Sequence, residues 1–386
     1  VSAASDFAGW QADEVELAYD KIPIRNVWLL FLYANDLARF QGRFDAEIED
    51  SPDLKSLIAR LLCHAVETRL QRNLSFGYRR RADTLKRVRG RIEILETESR
   101  ALFRRGEVAC RFDEFTIDTP RNRLVRAALT ALSGRVSNPS LSHRTRTLSG
   151  ALARAGVSGQ SPSRAEFATD QIARHEGEDK LMVSLARAVF ELVLPTEQEG
   201  VRSLFKASRG DTAFRKLFER AIGRFFAEEL SRKEGWRVYP GKQISWPVGA
   251  ASPGIRAHLP MMVTDIILEN EREDRRIIID TKFTSILTDA HYGMGQRFKT
   301  GHIYQLYAYL RSQEKEDDPR SLNSEGILLY PALGVDVDEA AELQGHRLRF
   351  ATVNLAQPTA SVIETLRQLP VLSRLDMSHI SATGQA

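Results

Sequence analysis

The stretch Val263-Thr264-Asp265-Ile266-Ile267-Leu268, a charged connection Glu269–Asp274, and then Arg276-Ile277-Ile278-Ile279-Asp280-Thr281-Lys282-Phe283 decides the reading of this chain. The two apolar runs predict a β-hairpin, with the charged residues between them at its turn. Three consecutive isoleucines predict that the second strand is covered on both faces. Side chains on a strand alternate with a period of two, so Asp280 and Lys282 point the same way. Asp265, placed within the first strand, then approaches Asp280 across the hairpin. Two carboxylates and one ammonium converge at the end of a buried apolar strand. Like charges gathered there are costly unless a cation compensates. A hard divalent ion such as Mg²⁺, with Mn²⁺ as the alternative, suits carboxylate oxygens, and the Thr281 carbonyl offers a further oxygen. Such an ion polarises a phosphate and lowers the pKa of bound water, and Lys282 would orient or deprotonate that water.

Working outward, Thr212–Leu230 predicts a helix whose apolar stripe is Phe214, Leu217, Phe218, Ala221, Ile222, Phe225 and Phe226. Glu219 sits on the shoulder of that stripe, placed either toward the acidic site or in solvent. A second helix, Gly301–Leu310, carries Gln305 and Tyr309 four residues apart on one face. Gln305 would support the Lys282 strand or touch a phosphate backbone. Between strand and helix, His291, Arg297 and Lys299 with Gly293 and Gly295 read equally well as a phosphate-touching loop or a solvated one.

The N-terminal part reads differently. Residues 1–20 predict a flexible arm. Residues 21–205 are helix-heavy, with an apolar helix after a cap at Asn26, a second helix over Leu54–Leu70, a strand over Phe112–Ile117 and helices over Asn122–Leu132 and Leu181–Leu194. The arginines Arg79, Arg80, Arg81, Arg87, Arg89 and Arg91 crowd one short stretch. Past the border, residues 206–386 alternate helix and strand. The predicted class is therefore α/β, a mixed sheet flanked by helices following an α+β domain.

Bulk properties exclude several classes. The 386 residues are 42% hydrophobic and 27% charged, with a net charge of +4, which suits two apolar cores and only weakly signals an anionic partner. Cys63 and Cys110 form no CxxC pair, which argues against a disulfide framework or zinc site and for a reducing cytoplasm. No apolar run approaches the roughly 18 residues of a membrane span. Gly241-Lys242 is followed by Gln243 and lacks the upstream glycine of a phosphate-binding loop, so no nucleotide is expected on this chain.

The Asp265…Asp280-Thr281-Lys282 spacing is the signature of the PD-(D/E)xK nucleases, with Thr264 in place of the nominal proline. The chain as a whole resembles the McrC family. The resemblance runs through Ile22-Pro23-Ile24-Arg25-Asn26, Arg89-Gly90-Arg91-Ile92-Glu93, Asn122-Arg123-Leu124-Val125, Leu217-Phe218-Glu219, Tyr304-Gln305-Leu306, Leu328-Leu329-Tyr330-Pro331 and Thr352-Val353-Asn354-Leu355. It implies a restriction-endonuclease-like domain in the C-terminal half and, in 21–205, a domain that binds an AAA+ GTPase ring of the McrB type. It further implies cleavage of methylcytosine-containing double-stranded DNA and stimulation of the partner's GTPase. On that reading Asp265 and Asp280 bind the metal, Lys282 assists the attacking water, and Glu219 and Gln305 support them. Arg87, Arg89 and Arg91 are candidates for contact with partner or DNA, against a solvated charge run as the default. Two rivals stand: a RecB-like nuclease module of another motor, and a non-catalytic activator of a ring GTPase.

Overall fold

A computed structural model describes residues 21–163, 165–166, 170, 176–193, 208–230, 235–289, 296–334 and 336–372. The expected arm over 1–20, and His291, Gly293 and Gly295 of the loop before the second site helix, lie outside the described residues. The chain divides into two compact units, one of Phe44–Gly200 and one joining Val1–Arg43 to Val201–Ala386. By its sequence, 21–205 reads as one domain. The structure instead packs helix α1 (Ile24–Ala34) inside the C-terminal unit.

That placement follows from α1's composition. Trp28, Leu29, Leu30, Phe31, Leu32 and Tyr33 leave no polar face, and every residue from Asn26 to Ala34 is buried. A helix that is apolar all round must be enclosed on all sides. Asn26 is not the cap that local sequence suggested, because Pro23 holds that position. Its Nδ2 donates to the carbonyls of Leu355 (2.7 Å) and Gln357 (2.8 Å), and its Oδ1 accepts from the Thr359 hydroxyl at 3.0 Å. Asn26 is a buried tether between residues more than 300 positions apart.

Within the unit of Phe44–Gly200, α2 (Leu54–Gln71) starts on the Asp53 carboxylate, which accepts from the Ser56 amide at 2.6 Å. An antiparallel sheet of β1 (Gly77–Leu85), β2 (Arg91–Ile92) and β3 (Val108–Thr116) has β3 in the middle. Helices α3 (Pro120–Ser133), α4 (Pro139–Arg154) and α5 (Gly177–Ala188) complete it. The first two begin with proline after Thr119 and Asn138 caps, the arrangement in which proline's missing N–H costs nothing.

In the other unit, α6 (Ser208–Leu230) precedes β4 (Trp236–Pro240), β5 (Ile266–Asn270) and β6 (Arg275–Thr281). Then come α7 (Thr300–Ser312), β7 (Glu325–Ala332), β8 (Asp338–Leu343), β9 (His346–Asn354) and α8 (Thr359–Leu372). The six strands form one mixed sheet in the order β8-β9-β7-β6-β5-β4. β7 runs parallel to both β6 and β9, and the other neighbours are antiparallel. The Ile277-Ile278-Ile279 run is fully buried, as expected of a central strand covered on both faces. One cover is α7, whose Leu306, Tyr309 and Leu310 pack with Ile267, Ile278 and Leu328. Gly326 permits this, since a Cβ there would sit 2.9 Å from both Leu306 and Leu310. The opposite cover is α6, where Gly223 faces Pro240 and Ile266.

The first strand of the expected hairpin is broken. Met262–Val263 pairs with Gln243–Ile244, and the ladder with β6 begins only at Ile266. Thr264 and Asp265 occupy the break. Their backbones bond to Lys242 and Gly241, with Thr264 N donating to Lys242 O at 3.0 Å and Gly241 N to Asp265 O at 2.8 Å. Asp265 therefore lies just before the strand, not within it.

Candidate active site

Three elements bring polar side chains to one end of the sheet. β5 and β6 pair Ile266 with Ile279, and continuing that register by one residue sets Asp265 across from Asp280. The Asp265 carboxylate is fixed through Oδ2, which accepts from the Thr281 amide and from the Thr281 hydroxyl, each at 2.7 Å. Asp280 is 1% exposed. Lys282 follows the last strand residue, its amide still bonded to Leu329 O at 2.9 Å, and its Nζ lies 2.8 Å from Asp280 Oδ2. The same ammonium donates to Gln305 Oε1 at 2.8 Å. Gln305 Nε2 donates to the Tyr309 hydroxyl at 2.7 Å, and that hydroxyl donates to Val263 O at 2.9 Å. A relay along one face of α7 thus joins the lysine after β6 to the backbone two residues before Asp265.

The electrostatics follow from this crowding. Burial pushes the Asp280 carboxyl up to about 6, the Asp265 charge adds to the rise, and Lys282 opposes it. Glu219, half-buried on α6, is raised by burial and then by the charges of Asp265 and Asp280, so it stands within electrostatic reach of both. Tyr309 is raised by burial, against the hydrogen bond from Gln305. Sequence reasoning missed the pair His302–Tyr330. Tyr330 is fully buried and its hydroxyl lies 2.9 Å from His302 Nδ1. His302 falls three residues before Gln305, so helical spacing already put it on the same stripe. Nothing in the sequence tied it to Tyr330.

The structure thus assembles Asp265, Asp280, Thr281, Lys282 and Gln305, with Glu219 nearby. Among the described residues no three His, Cys, Asp or Glu side chains come close enough to form a metal-holding group. The donor set still suits Mg²⁺, which keeps several waters and takes one or two carboxylates. Asp280 Oδ2 is buried and accepts no well-aligned hydrogen bond, although Lys282 Nζ is close. Asp265 has only Oδ2 engaged by Thr281. An under-satisfied buried carboxylate oxygen beside a second carboxylate is what a hard cation would relieve.

The arginine cluster belongs to the unit of Phe44–Gly200. Arg79 and Arg81 are neutralised by Glu114, Asp118 and Asp83. Arg87 is exposed in the connection between β1 and β2. Arg89 stacks over the Phe112 ring at 4.2 Å. Arg91 opposes Arg111 across the strands, and both line an open hollow of about 200 Å³ with Arg80 and Asp113. The cysteines are buried free thiols, with Cys63 pushed up by burial to about 12.

A mixed α/β sheet with two carboxylates and a lysine at one strand end, covered by a helix that grips the lysine, defines an α/β protein with a carboxylate–lysine site. The sequence pattern of the family described as "McrBC 5-methylcytosine restriction system component" matches residues 20–331, and the chain belongs to that family. It is 23% identical over 338 residues to the Escherichia coli K12 "Type IV methyl-directed restriction enzyme EcoKMcrBC", covering 87% of this chain and 93% of the relative. Among solved structures it is similar to a half-complex of Thermococcus gammatolerans McrB AAA+ hexamers with bound McrC. That match has 15% identity and a TM-score of 0.47, over 91% of this chain and 76% of the other. A second match, to the Thermococcus gammatolerans McrBC complex, has 18% identity and a TM-score of 0.32, over 54% and 61% of the two chains. No helix among the described residues is long and apolar enough to cross a membrane.

Proposed function

We propose that this chain is the nuclease subunit of a modification-dependent restriction system, an Mg²⁺-dependent endonuclease of the PD-(D/E)xK type. Its partner would be an AAA+ GTPase hexamer like the McrB rings of the similar complexes. The observation that carries the proposal is the gathering of Asp265, Asp280 and Lys282 at one sheet end. Asp265 and Asp280 would hold the metal, with Mn²⁺ as a substitute, and the Thr281 carbonyl would offer a further oxygen. When bound, the ion would supply a Lewis acid for the scissile phosphate and a water of lowered pKa.

The chain's own residues account for the rest. Thr281 orients the Asp265 carboxylate through two hydrogen bonds. Lys282, held by Gln305, presents its ammonium where negative charge grows on the phosphate, and it orients the attacking water. Tyr309 fixes Gln305. Glu219, with its raised proton affinity, supports the acidic side of the site. Double-stranded DNA bearing methylcytosine is the substrate, and the partner reads the modification. Arg87, Arg89 and Arg91 are the residues we assign to contact with partner or DNA.

The test is closed circular methylated plasmid incubated with the chain, its GTPase partner, GTP and Mg²⁺. Linearisation is expected. Degradation only of pre-cut DNA would favour a RecB-like end-dependent module. Stimulated GTP hydrolysis with intact plasmid would leave the non-catalytic activator.

A further inference from the structure

His302, Gln305 and Tyr309 form one stripe of α7, and each reaches a different strand at the same sheet end. Tyr309 bonds to Val263 O, Gln305 to Lys282, and His302 to Tyr330. Gln305 and Tyr309 are spent on that bracing. His302 is not. Its Nδ1 meets the Tyr330 hydroxyl at 2.9 Å, while its Nε2 makes no hydrogen bond among the described residues, and the residue is only partly buried. With Tyr330 donating to Nδ1, Nε2 carries the ring proton and is a donor.

The surroundings of that donor are cationic. Lys299 precedes His302 by three residues, and its carbonyl accepts the His302 amide at 3.1 Å. The Lys299 ammonium donates to Thr284 Oγ1 at 2.8 Å, which draws it to the segment just after Lys282. On α6, Phe214 packs against Phe283, with ring centres 6.2 Å apart, and the exposed Arg215 that follows it lies within electrostatic reach of His302. Burial, and after it the charges of Lys282, Lys299 and Arg215, push His302 down to about 4, so it is neutral at working pH. In that tautomer a neutral ring donor lies within electrostatic reach of Lys299 and Arg215, with Lys282 already held by Asp280 and Gln305, and such a donor fits an anion.

We propose that His302, Lys299 and Arg215 form a phosphate subsite that holds a phosphodiester of the substrate strand next to the one that is cut, with Tyr330 as the residue that positions His302. The subsite rests on the nuclease reading for its purpose, and on the side chains named here for its chemistry. Its test is therefore binding, not cleavage.

The full-length chain is titrated into a fluorescent 20-base-pair duplex in chelator, with anisotropy read over a series of salt concentrations. Loss of a neutral hydrogen bond to a charged phosphate weakens binding by roughly tenfold. His302→Leu should therefore bind about tenfold more weakly with an unchanged salt slope, because a neutral ring displaces no counterion. Arg215→Gln and Lys299→Gln should each make the slope of log K against log salt shallower by about 0.9. His302→Gln, which keeps an amide donor near the Nε2 position, should recover most of the affinity and guards against a folding defect. Parental affinity in His302→Leu, or failure of His302→Gln to recover, would overturn the subsite. If the binding pattern holds but the parent never cuts DNA with its partner, the proposed function fails and the subsite stands. If the parent cuts and His302→Leu binds normally, only the subsite fails.

Discussion

Replacing Asp280 by asparagine should stabilise the metal-free protein at alkaline pH, although it removes an ion pair with Lys282. Asp280 is raised from 3.8 to about 6 because burial and the Asp265 charge outweigh the lysine. Relative to the unfolded chain the group therefore favours folding only while it is protonated. That contribution is present below about pH 4 and is lost as pH rises through about 6. At 1.36 kcal/mol per pH unit the loss is on the order of 2–3 kcal/mol. Asparagine keeps the shape without the charge. Lys282 is not stranded, because its side chain is 17% exposed and its ammonium donates to Gln305. In a unit of this size about 2–3 kcal/mol corresponds to roughly 5–10 °C of melting temperature.

The assay is a thermal melt of parent and Asp280→Asn in chelator, at pH 5 and pH 8. The variant should melt higher at pH 8, and the gap should shrink toward pH 5. Added Mg²⁺ should then close most or all of the gap at pH 8, raising the parent by about 2.7 kcal/mol at a hundredfold excess over its dissociation constant and leaving the variant unmoved. A variant that melts below the parent at pH 8 in chelator would mean that the Lys282 pair dominates, and the reasoning would be wrong.

Gln305→Ala removes the acceptor of Lys282 and the partner of Tyr309, so single-turnover cleavage should fall tenfold or more while duplex affinity in chelator stays within twofold. Asn26→Leu strands the buried Leu355 carbonyl and removes the part-buried bonds with Gln357 and Thr359, and equilibrium denaturation should show a loss of about 1–3 kcal/mol. An effect below about 1 kcal/mol would contradict the tether. Gly326→Ala pushes a methyl against Leu306 and Leu310, so it should cost about 1–3 kcal/mol and, by shifting α7, lower cleavage more than it lowers duplex binding.

The parts of this structure that were legible in the sequence are those set by short-range pattern. Ile277-Ile278-Ile279 announced a central strand because a short run of β-branched residues, presented to both faces, suits a strand covered on both sides. The period of two placed Asp280 with Lys282, and the spacing of four placed Gln305 with Tyr309 on α7. What the sequence concealed depends on distant chain. Asn26 reads as a cap from its neighbours in sequence, and only the arrival of Leu355, Gln357 and Thr359 makes it a tether. Helix α1 leads into the residues of the other unit, yet its wholly apolar surface is enclosed in the C-terminal unit, and chain order carries no trace of that. Asp265 lies in a break because Gly241 and Lys242 claim the backbone around it. The His302–Tyr330 pair joins a helix to a strand 28 residues on, and no local rule links them.

The most direct measurement of the central claim uses one reaction containing the chain, its AAA+ partner, GTP, Mg²⁺ and methylated plasmid, with DNA cutting and phosphate release followed together. For Asp280→Ala we expect cutting to disappear while GTP hydrolysis is stimulated as by the parent. If plasmid is cut at the parental rate by Asp280→Ala, the carboxylate–lysine cluster is not where the phosphodiester is hydrolysed.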